Sequence, residues 1–168
     1  MPLTDGIRSS STVMIVVRSI ESILSIVVLG LMAAVSNWYN VETMTATPSE
    51  INFLIFVPIW SFISVLYHVL APGLAPEAYH PIAALVIECL NVVFWFSGFV
   101  SLAAFLSKLL FCRGMVCSEA QAGAVFSALQ FITWSSTLFF TAKEVFKGRF
   151  HKTTASRRNV VQMKETVA

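Results

Sequence analysis

Long apolar runs alternate with short polar breaks along this chain. The runs cover residues 13–35, 51–71, 82–106 and 120–142. Each is long enough to cross the hydrocarbon core of a bilayer as a helix, which takes about 20 residues. Helices are expected because, in lipid, every backbone N–H and C=O must find its partner within the segment. The breaks at 36–50, 72–81 and 107–119 are short, and short connections between long helices make neighbours antiparallel. The pattern predicts an all-α integral membrane protein, an antiparallel four-helix bundle over residues 13–142. It is flanked by an N-terminal segment, 1–12, and a C-terminal tail, 143–168.

Polar and small positions inside the runs are themselves periodic. In the fourth run Gly123, Ser127, Gln130, Trp134, Thr137 and Thr141 recur at steps of three and four. In the third, Glu88, Asn91, Trp95 and Gly98 do the same. Such spacing keeps residues on one helix face with the drift of left-handed packing. In a bilayer this polar, small face turns toward neighbouring helices, since lipid is as apolar as any leucine. Asn91, Gly98, Gly123, Ser127 and Gln130 are therefore expected at helix contacts. Gly30 with Ala34, and Ala120 with Ala124 and Ala128, add small-residue steps of four. Contacts within one chain are the preferred reading of these, with a homo-oligomer as the other.

Composition agrees: 57% of residues are hydrophobic, 12% are charged, and mean hydropathy is +0.77. Globular domains carry about 25% charged residues. Between Arg18 and Lys108 there is no lysine or arginine, whereas Lys143, Lys147, Arg149, Lys152, Arg157, Arg158 and Lys164 crowd the tail. Basic residues near span ends mark the cytoplasmic side. Arg8 and the tail lie on the side shared by the two termini, against only Lys108 and Arg113 on the other, so both termini are expected in the cytoplasm. The juxtamembrane cations Lys143, Lys147, Arg149, Lys152, Arg157 and Arg158 suit anionic lipid headgroups. Thr153, Thr154 and Ser156 lie among them, where phosphorylation would weaken that attraction. Nothing suggests nucleic acid binding, and neither a cleavable signal peptide nor a lipid anchor is expected.

Three charges fall inside the runs: Arg18 and Glu21 in the first, Glu88 in the third. Charges in the membrane face other protein or the interface. At 1.5 Å per residue, Arg18 lies roughly 7.5 Å and Glu88 roughly 9 Å from the start of its span. An interhelical Arg18–Glu88 pair is the preferred reading. Glu21, one turn along from Arg18, is the competing partner, and snorkelling of Arg18 to headgroups is a third reading. A proton-coupled role for Glu88 is a minor alternative. Pro58, within the second run, is expected to kink its helix; a broken helix lining a transport site is the sharper reading.

Of the cysteines, Cys89 is expected to be a buried thiol. Cys112 and Cys117 lie in the last outer link, where a short disulfide loop is expected, the alternative being two free thiols. Histidines 68, 80 and 151 are dispersed, and the first two are read as ordinary interfacial residues. No catalytic set, metal-ligand constellation or phosphate-binding loop appears. No enzymatic activity, metal or cofactor is expected.

The run Glu88-Cys89-Leu90-Asn91-Val92-Val93-Phe94-Trp95-Phe96, Cys117-Ser118-Glu119-Ala120-Gln121-Ala122, and Arg18 in the first helix carry a resemblance. The chain resembles the fungal MARVEL-domain membrane proteins, above all the non-classical export protein family, over residues 10–147. That family has an acidic residue, often Asp, at the place of Glu88. The last outer link here is short, and the tail has its own sequence. The resemblance implies a multi-pass plasma-membrane protein that organises sterol- and sphingolipid-rich microdomains of the eisosome type together with peripheral scaffold proteins. It also implies links to sphingolipid-responsive signalling and unconventional export. The alternatives are a small transporter or channel subunit using Glu88 and Arg18, and an export accessory protein.

Overall fold

The computed structural model describes residues 3–74, 80–108 and 114–165, with side chains over 13–71, 80–108, 114–143, 145 and 146. Four helices follow one another: α1 (Leu3–Val41), α2 (Ser49–Leu74), α3 (Pro81–Lys108) and α4 (Met115–Glu165). Val13–Val41, Ser49–Ala71, Pro81–Lys108 and Met115–Lys143 are each long and apolar enough to cross a membrane.

Local chemistry sets the helix ends. Proline suits the first turn because its missing N–H would have no partner there. α3 accordingly begins at Pro81, and the His80 carbonyl accepts the Ala84 amide at 3.0 Å. The Pro48 carbonyl accepts the Ile51 and Asn52 amides at the start of α2. α4 is entered through Gly114, whose φ of +100° strains any residue with a Cβ.

α1 continues past its apolar run through Ser36–Val41. The Glu42 amide then reaches the Trp38 carbonyl at 2.9 Å, Met44 turns the chain in the left-handed region, and the Thr47 and Ser36 hydroxyls meet at 3.0 Å. The first link is therefore 42–48, shorter than the expected 36–50, because helix propagation into the interface outlasts the hydropathy signal. α2 passes through the buried Pro58 as one helix, so the broken-helix reading does not hold. The backbone of α4 runs on to Glu165, carrying the basic tail as a continuation of the last span.

α1 packs on α2 and α4, and α3 packs on α2 and α4. α1 and α3 are thus diagonal across the bundle. The apolar core gathers Val28, Met32 and Val35 with Ile51, Leu54, Val57, Trp95, Leu102 and Ala120, mostly in the half away from the termini. Gly98 and Gly123 are buried within it. A Cβ on Gly98 would lie 2.6 Å from Leu54 Cδ2, and one on Gly123 would meet the end of the Met32 side chain.

The outer surface is apolar on every helix, with Ile23, Ile63, Val93 and Ile132 among the exposed residues. Cys89 corrects its expected place. One step round α3 from the inward Glu88, it faces outward as an exposed free thiol. Gly30 and Ala34 also face outward, with nothing within 4 Å of a Cβ on Gly30, so they make no close contact within the chain. Ala120, Ala124 and Ala128 are buried or half-buried.

Candidate functional site

In the half of the bundle nearest the termini, polar side chains from all four helices converge. α1 supplies Arg18, Glu21 and Ser25, on steps of three and four that continue through Val28, Met32 and Val35; all six are buried. Arg18 is the hub. Its Nη1 donates to Glu21 Oε2 at 2.9 Å, and its Nη2 donates to Glu88 Oε1 across the bundle diagonal. The guanidinium carbon also lies 4.9 Å from the Trp134 ring centroid. A planar fork with several donors can serve two carboxylates at once, which an ammonium on a flexible stem does less well. Arg18 is buried in this arrangement rather than snorkelling, and the interhelical and local partners are both engaged.

The second tier closes around these charges. Thr137 donates from its hydroxyl to Glu21 Oε1 at 3.2 Å. Gln130 Nε2 donates to the Glu21 carbonyl at 2.7 Å and to Ser25 Oγ at 2.6 Å, while Thr133 Oγ1 donates to Gln130 Oε1. On the α2–α3 seam Ser61 Oγ donates to Asn91 Oδ1 at 2.9 Å. Asn91 Nδ2 donates to Ser64 Oγ at 2.8 Å and to the Ile87 carbonyl, and Trp95 Nε1 donates to Ser61 Oγ at 3.0 Å. Buried polar groups in hydrocarbon have no water to turn to, so each needs such partners. Ser127 satisfies its hydroxyl on the Gly123 carbonyl of its own helix at 2.7 Å.

His68 is the member that sequence reasoning missed. Its side chain is 8% exposed, and Nε2 lies 3.7 Å from Glu88 Oε1. A signal was present: Ser61, Ser64 and His68 repeat on α2 the three-and-four spacing already read on α3 and α4. A histidine close to a link reads as interfacial unless that stripe is followed to its end.

The remaining expected sites divide by position. Lys143 holds its ammonium 4.1 Å from the Phe139 ring centroid. The side chains of Lys147, Arg149, Lys152, Arg157 and Arg158 lie outside the described residues, as do those of Thr153, Thr154 and Ser156. Cys112 also lies outside them, so its expected bridge to Cys117 is not described; Cys117 Sγ accepts from Gln121 Nε2 at 3.5 Å. Among the described residues no group of three His, Cys, Asp or Glu side chains converges to hold a metal ion.

Four apolar helices that direct their polar stripes into a shared interior make a membrane-associating unit. The sequence model of the membrane-associating MARVEL domain matches residues 10–140. This chain belongs to the MARVEL family. No curated protein and no solved structure matches it. The MARVEL span takes in Arg18, Glu21, His68, Glu88, Gln130 and Thr137, and it ends just ahead of Lys143. The polar cluster thus lies wholly within the MARVEL bundle, while the whole basic tail lies beyond it. With four spans and a membrane-associating domain, the chain is a multi-pass membrane protein.

Proposed function

We propose that this MARVEL protein is an organiser of membrane microdomains, with its two termini on the cytoplasmic face of the plasma membrane. The observation that carries the reading is the division of its surface. All four helices present large apolar side chains outward, while Arg18, Glu88, Asn91 and Gln130 engage their polar groups in bonds between helices. A bundle built this way offers lipids an extensive contact surface. Its interior is filled by Trp95, Trp134, Met32 and Leu102. The lipids of choice are sterols and sphingolipids, as the family resemblance implies, and peripheral scaffold proteins of the eisosome type are the natural cytoplasmic partners. The basic tail adds anionic-lipid contact. A contribution to unconventional export belongs to the same reading, and no catalytic activity does.

Imaging the tagged full chain in its native membrane tests this. Surface patches that disperse on sterol extraction are expected; a uniform internal-membrane signal would sink the proposal. The transporter or channel reading draws support from one observation, the charges buried in the half of the bundle nearest the termini. It requires solute or ion flux in reconstituted liposomes that Glu88→Gln abolishes, whereas the organiser gives no flux with either chain. Co-purification of secreted clients would instead favour the export accessory.

A further inference from the structure

We propose that the Glu88–His68 pair is a proton-binding site inside the membrane, holding one proton that neutralises the negative charge the Arg18 guanidinium leaves unbalanced. The inference stands apart from the organiser reading and begins with a count of charge. Arg18 is permanently cationic. Glu21 and Glu88 both bond to it, and both carboxylates are fully buried. Among the described residues of this cluster, two carboxylates against one guanidinium leave one negative charge. An unbalanced charge there is costly, because hydrocarbon cannot solvate it. One added proton removes it.

Geometry says where that proton goes. His68 is buried to more than nine-tenths, and its Nε2 has no hydrogen-bond partner. That nitrogen lies 3.7 Å from Glu88 Oε1, slightly beyond hydrogen-bond reach. A proton placed between the two closes the gap, either as an imidazolium donating to the carboxylate or as a carboxylic acid donating to the imidazole. Both forms leave the cluster neutral.

The groups facing the pair come from every helix. Arg18 and Glu21 approach from α1. Tyr67, whose ring lies 5.8 Å from that of His68, flanks it on α2. From α4, Thr137 bonds Glu21 and Trp134 lies against the Arg18 guanidinium. Because α1 and α3 meet here only across the diagonal, the occupancy of the site is tied to how the four helices close. Protonation keeps the bundle neutral and tight. As pH rises through the titration, the proton passes to buffer, the negative charge returns, and stability falls.

The test uses the full chain in phosphatidylcholine nanodiscs, titrated from mildly acidic to alkaline pH. Infrared difference spectra report a protonated carboxyl, and nitrogen NMR of labelled histidine reports an imidazolium. The expected result is one buried group, seen by either method, that loses its proton as pH rises and is missing in Glu88→Gln. In His68→Gln the midpoint moves by about one pH unit or more, the scale of a close partner's influence. The proposal is overturned if neither signal is present at any pH. It is equally overturned if the titration is the same in wild type and Glu88→Gln. Should Glu88→Gln fail to fold, His68→Gln decides, because an unmoved midpoint there removes the pair.

Discussion

At the scale of single residues, Arg18 carries the most weight. Replacing it with Leu strands two buried carboxylates at once. Breaking a buried ion pair from one side costs about 3–5 kcal/mol, so Arg18→Leu is expected to unfold in detergent at markedly lower temperature or denaturant than wild type. Glu88→Gln keeps an acceptor for the guanidinium and is expected to retain the fold. Asn91→Leu removes the bonds from Asn91 to Ser61 and Ser64 and leaves Ser61 only Trp95 as its partner across the seam, at about 0.5–1.5 kcal/mol per bond lost, read in the same unfolding assay. The meeting of Arg18 and Glu88 was legible in the sequence because helix rise converts position into depth. That Arg18 would hold both carboxylates at once, and that His68 would join from α2, was not. Those facts depend on rotation of each helix about its axis, which packing sets.

At the scale of elements, the two kinds of glycine separate cleanly. Gly98 lets α2 approach α3, and the nearest Leu54 carbon lies 2.6 Å from where a Cβ would go. Overpacking at such a contact costs about 1–3 kcal/mol, so Gly98→Ala is expected to lower the unfolding midpoint. Gly30→Ala has open space around it and should leave the midpoint unchanged or raise it. Equal losses in both variants would count against the assignment of inward and outward faces. Periodicity alone distinguished the polar faces of α3 and α4. It could not decide Gly30 and Ala34, since small residues suit either a chain contact or lipid, nor Cys89, whose thiol is at home in both.

At the scale of the whole molecule, orientation and the tail carry the predictions. An epitope tag after residue 168 is expected to stay hidden from antibody on intact cells. One inserted in the 42–48 link should be reached. The tail's attraction to anionic bilayers amounts to about 1 kcal/mol per basic residue near the surface. Neutralising Lys147, Arg149, Lys152, Arg157 and Arg158 together should therefore abolish salt-sensitive binding of the tail to anionic liposomes. Acidic substitutions at Thr153, Thr154 and Ser156 should weaken it. Unchanged binding in both variants would leave the basic tail as a topology signal only.

The number of spans, their antiparallel order and the inward faces of α3 and α4 are properties of the sequence itself. Hydropathy and periodicity are local, and lipid permits few other solutions to backbone hydrogen bonding. The first link was less legible, because α1 continues helically beyond its apolar run to Val41. Only the tertiary structure decided that Arg18 holds both carboxylates at once, that His68 reaches Glu88, and that Gln130 secures α4 to α1 through the Glu21 carbonyl. The interhelical contacts among these join residues 20 to 109 positions apart, on different helices whose rotation no single segment encodes. They form because each buried polar group must find its partner wherever the packed bundle places one.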